Sequence, residues 1–246
     1  MSDLVPVMPH GALREVFPDL FFVTGTSRPT FMSMSWQFSR NMTVVRDGDA
    51  LTLVNTVRLD EPALAELDRL GQVKHVVKLG DFHGMDDRFY VERYGATQWG
   101  LAGMVHDGDR RADRELAVSG ELPIEGASLF VFETSQRPEG LLLLEREGGV
   151  LISCDSLQNW AEVDAFFSEE SAAKMKSLGF IRPANIGPGW RMACKPEAKD
   201  FARLGALPFQ HLLPAHGTPI LGDARAQLSA TFSRELGVPE AGAVRA

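Results

Sequence analysis

The sequence predicts an α/β fold in which two β-sheets are sandwiched between helices. Three observations carry this expectation. Short apolar strands recur in both halves of the chain, each set leads into helical patterns, and hairpin signals cluster near the start. Residues 18 to 25 read as a first strand. Residues 31 to 57 open with the period-two alternation Met-Ser-Met-Ser-Trp-Gln-Phe. They continue as Met42–Arg46 and Leu51–Val57 around Asp47-Gly48-Asp49, and an Asp-Gly between two apolar runs marks a hairpin. Glu61–Leu70 carries Leu64, Leu67 and Leu70 at helical spacing behind Asp60, a residue suited to cap a helix. Val73–Leu79 returns to strand, and a short helix follows through Tyr90 and Tyr94.

In the second half, Leu129–Glu133, Leu141–Glu145 and Val150–Cys154 read as strands. Gln158–Phe167 and Ala172–Leu178 read as helices. Asn185–Trp190 reads as an exposed, shaped loop because of its glycines and proline. Pro196–Leu204 is helical, His211–Pro214 is a last short strand, and Asp223–Leu236 a final helix. With no repeat and no low-complexity linker, the 246 residues are expected to form one domain. Its core spans about 18–236, and 237–246 form a loose tail.

Composition narrows the function classes. With 25 basic and 33 acidic side chains the net charge is −8, which disfavours nucleic acid as a partner. The N-terminus lacks a secretory pattern, and no apolar run approaches the roughly 20 residues of a membrane span. Two cysteines, Cys154 and Cys194, suit a reducing compartment. The expectation is a cytoplasmic protein that acts on a small molecule, with self-association left open.

Three segments carry ligand-type side chains after apolar strands. Asp81-Phe-His83-Gly-Met-Asp86-Asp87 holds one histidine and three aspartates in seven positions. Val150-Leu-Ile-Ser-Cys-Asp155 ends in an aspartate, and Leu212-Leu-Pro-Ala-His216-Gly in a histidine. Strand ends at one sheet edge converge, so these side chains can meet. Taken singly, each residue has a plainer role: Asp81 in a turn, Asp86 and Asp87 at a helix start, Cys154 as a small buried hydrophobe. His10, His75, His106 and His211 belong to no such group.

These segments, with the opening hairpins around Arg46-Asp-Gly-Asp, make the chain resemble the metallo-β-lactamase superfamily over roughly residues 18–236. The resemblance implies an αββα four-layer sandwich with metal ligands on successive loops. The family's His-x-His-x-Asp-His motif overlays on Asp81, His83, Met85 and Asp86, and a one-residue slip would use Asp86 or Asp87 in the aspartate role. Asp155 matches the bridging aspartate and His216 the last histidine. No histidine occurs in Phe132–Gly140, where most members supply another, and Glu133 is the nearest substitute. Asn55 stands where many relatives have an aspartate.

The implied ligand set is therefore Asp81, His83, Asp86, Asp155 and His216, with Asp86 also taken as the catalytic carboxylate. They would hold one or two divalent ions, Zn, Fe or Mn, and carboxylate-rich ligation shifts preference away from zinc. The implied activity is metal-dependent hydrolysis of an ester, thioester, lactone or phosphoester. One alternative is a non-catalytic, metal-free relative that binds or oligomerises, with Arg88 or Arg137 neutralising the aspartates. A di-iron redox protein is a third reading.

Overall fold

A computed structural model describes residues 4–31, 33–107 and 110–239. The first half runs β1 (Arg14–Phe17), β2 (Leu20–Ser27), β3 (Thr30–Phe31), β4 (Met34–Ser35), β5 (Phe38–Asp47), β6 (Ala50–Val54), α1 (Glu61–Leu70), β7 (Gln72–Lys78), α2 (Asp87–Tyr94), β8 (Thr97–Leu101) and β9 (Arg114–Leu116). Seven of these strands form one sheet in the order β1-β2-β5-β6-β7-β8-β9, while β3 and β4 make a small separate hairpin. Pairing is antiparallel as far as β6 and parallel beyond it. The Asp-Gly turn closes β5 onto β6 with Asp47 opposite Ala50.

The second half contributes β10 (Ala127–Val131), β11 (Gly140–Leu144), β12 (Val150–Ser153), β13 (Leu157–Gln158), α3 (Glu169–Ser177), β14 (Asn185–Ile186), α4 (Pro188–Cys194), α5 (Ala198–Gly205), β15 (His211–Pro214) and α6 (Ala224–Leu236). Strands β10-β11-β12-β15 form the second sheet, and β13 pairs with β14.

Strand periodicity builds the layers. On β2, Leu20 and Phe22 face inward to meet Leu142, Leu144, Ile152 and Leu213 of the second sheet. Phe21 and Val23 face outward, into a core completed by Leu64 and Leu67 of α1 and Phe89 and Tyr90 of α2. The far face of the second sheet offers Leu141, Leu143, Leu151 and Leu212 to Trp190, Phe201, Leu228 and Phe232 from α4, α5 and α6. The result is an αββα four-layer sandwich, and each fully buried Leu or Phe contributes about 1.5–3 kcal/mol. Asp60 caps α1 by accepting from the Ala63 N–H at 3.0 Å. Val238 packs onto the outer core, while residues 240–246 of the expected tail lie outside the described residues, as does Met32.

Two expectations are corrected. Gln158–Phe167 is not a helix: it holds the end of β13 and then a run of bends and turns. Its apolar residues serve a lateral cluster, where Trp160 and Phe167 pack with Trp36, Phe38 and Met175. The next helix begins after Ser168, whose hydroxyl accepts from the Ser171 N–H. Asn185–Trp190 is not an exposed loop either. Asn185, Ile186 and Trp190 are buried, and a Cβ on Gly187 would stand 1.9 Å from the Asp155 carbonyl oxygen. Close approach to that loop is what requires a glycine there.

The parallel pair β12–β15 sets up the site. Ser153 lies opposite Pro214, so both strands leave the sheet at the same edge, just before Asp155 and His216. Asn55, at φ 56°, reaches across from the end of β6 and donates to the Ser153 carbonyl at 3.0 Å. That contact joins the two sheets directly beneath the loops.

Candidate metal centre

His83, Asp155 and His216 converge. His216 Nε2 lies 3.1 Å from Asp155 Oδ1 and 3.1 Å from His83 Nε2, and His83 Nε2 lies 3.4 Å from Asp155 Oδ2. Each is positioned by its own element. Asp155 and His216 follow the paired strands. His83 sits in the turn after β7, where its N–H donates to the Gly80 carbonyl at 3.2 Å. Gly84 follows at φ +98°, and a Cβ there would stand 2.8 Å from Asp87 Oδ2, which accounts for a glycine behind this histidine.

The ring nitrogens can be assigned from their partners. The Ser39 carbonyl only accepts, so His216 Nδ1, 3.1 Å away, carries the proton. Nε2 is then the nitrogen that faces the Asp155 carboxylate and His83. Burial pushes the His83 imidazole below its ordinary value, with Asp155 pulling the other way. For Asp155, burial acts upward, but His83 and His216 outweigh it and hold the carboxyl well below the usual range. The Cys154 thiol also donates to Asp155 Oδ2 at 3.6 Å, and burial, followed by the Asp155 and Glu139 carboxyls, pushes that thiol well up. An anionic carboxylate and two imidazole nitrogens thus meet in one buried cluster.

A divalent ion fits that donor set. Bonds of about 2.0–2.2 Å in a tetrahedron place ligand atoms about 3.3–3.6 Å apart, close to the 3.1–3.4 Å found here. Cys154 Sγ also lies within 4.8 Å of ligand atoms on His83 and Asp155. As a protonated thiol it supports Asp155 rather than offering a thiolate.

The other candidate carboxylates are engaged elsewhere. Asp86, almost fully buried at the start of α2, pairs with the buried Arg40 guanidinium and accepts from the Arg58 N–H at 2.7 Å. Asp81 accepts from Arg137 Nη1 at 2.7 Å and from the Val105 N–H at 3.1 Å. Arg88 turns away, to Glu92 and Asp107. Asp87 accepts from the Thr56 hydroxyl at 2.6 Å, and burial raises its pKa. Glu133 pairs with Arg203 on the surface at 3.0 Å.

Several contributors carry little sequence signal. Asn41 on β5 donates to the Pro214 carbonyl at 2.9 Å and the Gly217 carbonyl at 2.7 Å, clamping the His216 loop. Glu139, fully buried, accepts from the Ser156 N–H, while its Oε2 has no hydrogen-bond partner. Burial and the nearby Asp155 raise the Glu139 carboxyl well above its ordinary value. Arg40 sits in the polar run Ser39-Arg40-Asn41 of β5, where nothing in the sequence marks it as buried.

No protein-family model matches the sequence, and no curated protein sequence does. Solved structures do match. The metallo-β-lactamase FIM-1 from Pseudomonas aeruginosa, in its mono-zinc form, superposes with a TM-score of 0.60 over 93% of this chain and 96% of its own, at 14% identity. The fold is that of the metallo-β-lactamases. The metallo-β-lactamase from Hirschia baltica gives 0.58 over 89% and 95% at 16% identity. DIM-1 gives 0.61 over 92% and 97% at 16%. On the metallo-β-lactamase fold, then, this chain keeps an aspartate and a histidine at the ends of β12 and β15, while two carboxylates of its first loop face guanidinium groups. Among the described residues no helix is long and apolar enough to cross a membrane.

Proposed function

We propose that this protein is a metal-dependent hydrolase holding one divalent ion at His83, Asp155 and His216. The observation that carries the reading is the convergence of two imidazole nitrogens and an anionic carboxylate within 3.1–3.4 Å of one another. When bound, a divalent ion supplies Lewis-acid polarisation and acidifies a water.

The chain's own residues do the rest. Ser39 and Asn41 fix His216 and its loop, and Cys154 supports Asp155 from behind. These are the outer contacts that orient ligands at metal sites. Asp86 takes the role of holding Arg40 against the site rather than touching a substrate. Phe38 and Trp160 flank His216, with ring centroids 5.8 and 4.7 Å from its own, and exclude water from that side. Two histidines with one carboxylate suit zinc, iron or manganese.

The second reading, a metal-free binding protein, draws on Asp81 and Asp86 already being neutralised by Arg137 and Arg40. Elemental analysis of protein purified without chelator or affinity metal separates the two. The hydrolase reading expects one equivalent of metal in the wild type, lost in both Asp155→Ala and His216→Ala. Absence of metal after incubation with each ion would leave the binding protein.

A further inference from the structure

His83, Asp155 and His216 open into a cleft of about 460 Å3, within the range of about 300–1,000 Å3 typical of small-molecule sites. Apart from these three and Arg40, every described residue lining it is uncharged. Arg40 is matched by Asp86, and Arg137, whose guanidinium lies 5.3 Å from the Phe82 ring centroid at the mouth, is matched by Asp81. A charged group on a ligand would therefore lose its water without gaining a counterion along the walls.

The walls are largely aromatic, and of the three indole N–H groups in them two are already used, while that of Trp190 is buried without a partner. Trp36 Nε1 donates to the Phe31 carbonyl at 3.1 Å, and Trp160 Nε1 to the Ser39 hydroxyl at 2.8 Å. What these rings present to the cleft is apolar surface. Phe38 and Trp160 line the cleft next to His216, and Phe31, Phe82 and Met192 line it as well. There Phe31, Phe82 and Met192 remain 42%, 46% and 71% exposed although they come from three separate segments. Large apolar side chains gathered around one opening mark a surface built for an apolar guest.

We propose that the substrate is a neutral carboxylic ester, open-chain or cyclic, whose acyl portion is apolar and lies along the Phe38–Trp160 wall. This rests on the hydrolase reading and adds the substrate class to it. Hydrolysis joins the water oxygen to the acyl carbon and breaks the acyl–oxygen bond. One proton of that water leaves with the alkoxide as an alcohol, and the new acid ionises, so no co-reactant beyond water is consumed.

The test uses metal-loaded protein and 4-nitrophenyl esters from acetate to decanoate, with the anionic hemisuccinate beside the butyrate. The expected result is a kcat/KM rising about three- to fourfold per methylene until the cleft is filled, with the hemisuccinate at least about tenfold poorer than the butyrate. A Phe31→Ser, Phe82→Ser, Met192→Ser triple variant should flatten the length dependence while keeping its metal content. Hydrolysis indifferent to chain length, or faster with the anionic ester, overturns the substrate class and leaves the hydrolase standing. Nile red bound to metal-free His216→Ala protein gives a readout independent of turnover. If no ester is hydrolysed but octanol displaces the dye and octanoate does not, the ligand class holds and the hydrolase reading fails. If neither turnover nor displacement occurs, the proposal fails.

Discussion

Two acid-bearing regions lie a short distance apart and behave differently. In the loop between β7 and α2, Asp81 and Asp86 each face a guanidinium, from Arg137 and Arg40. At the end of β12, Asp155 faces two imidazoles instead. A guanidinium is always protonated and neutralises its carboxylate, whereas an imidazole can give way to a metal. The same side chain is thus scaffold in one place and a ligand candidate in the other, and the partner decides which.

The sharpest way to break this contrast is Asp86→Ala. It leaves Arg40 buried and unpaired, and the expected loss is about 3–5 kcal/mol of stability, measured by urea unfolding. A loss below about 1 kcal/mol would show that Arg40 escapes to water and that the pair is not a structural element. Asp155→Asn should act on metal rather than fold. Outer contacts at metal sites are worth about 10–100-fold in affinity, so removing the ligand itself should weaken binding by about 100-fold or more, read by competition against a chromogenic chelator.

pH offers a gentler probe. Because burial holds His83 below its ordinary value, protons compete for its Nε2 only at a pH below about 6.5. Metal should therefore stay bound at pH 6.5 and be released as the pH falls further, while Asp155, also held low, remains ionised. Release that begins well above pH 6.5 in equilibrium dialysis would remove His83 from the ligand set. The smallest effect belongs to Asp81→Asn. Its partner Arg137 is half exposed and solvent-screened, so the loss should stay under about 1 kcal/mol with metal content unchanged. Lost metal in that variant would return Asp81 to the ligand set.

Much of the architecture was legible because periodicity reports burial directly. The Asp-Gly hairpin and α1 behind Asp60 lie where the pattern puts them, and Asp155 and His216 were readable as polar residues ending apolar strands. Partner identity was not readable. Arg40 and Asp86 lie 46 positions apart, and Arg137 and Asp81 lie 56 apart, so spacing within the acidic loop says nothing about what neutralises it. Gln158–Phe167 misled for a related reason: its aromatics answer to Trp36 and Phe38, far away in the chain, and not to a helical face. Glu139 hid beside Glu133 in the same loop, where only burial tells them apart.

The register between β12 and β15 has a consequence for how such a protein can be altered. Asp155 and His216 owe their separation to backbone pairing that ends at Ser153 and Pro214, whereas Phe31, Phe82 and Met192 sit on a hairpin, a turn and a helix outside that pairing. The candidate metal site and the apolar rim are thus carried on separate elements. The rim side chains can therefore be replaced without touching the strands that set the separation of Asp155 and His216.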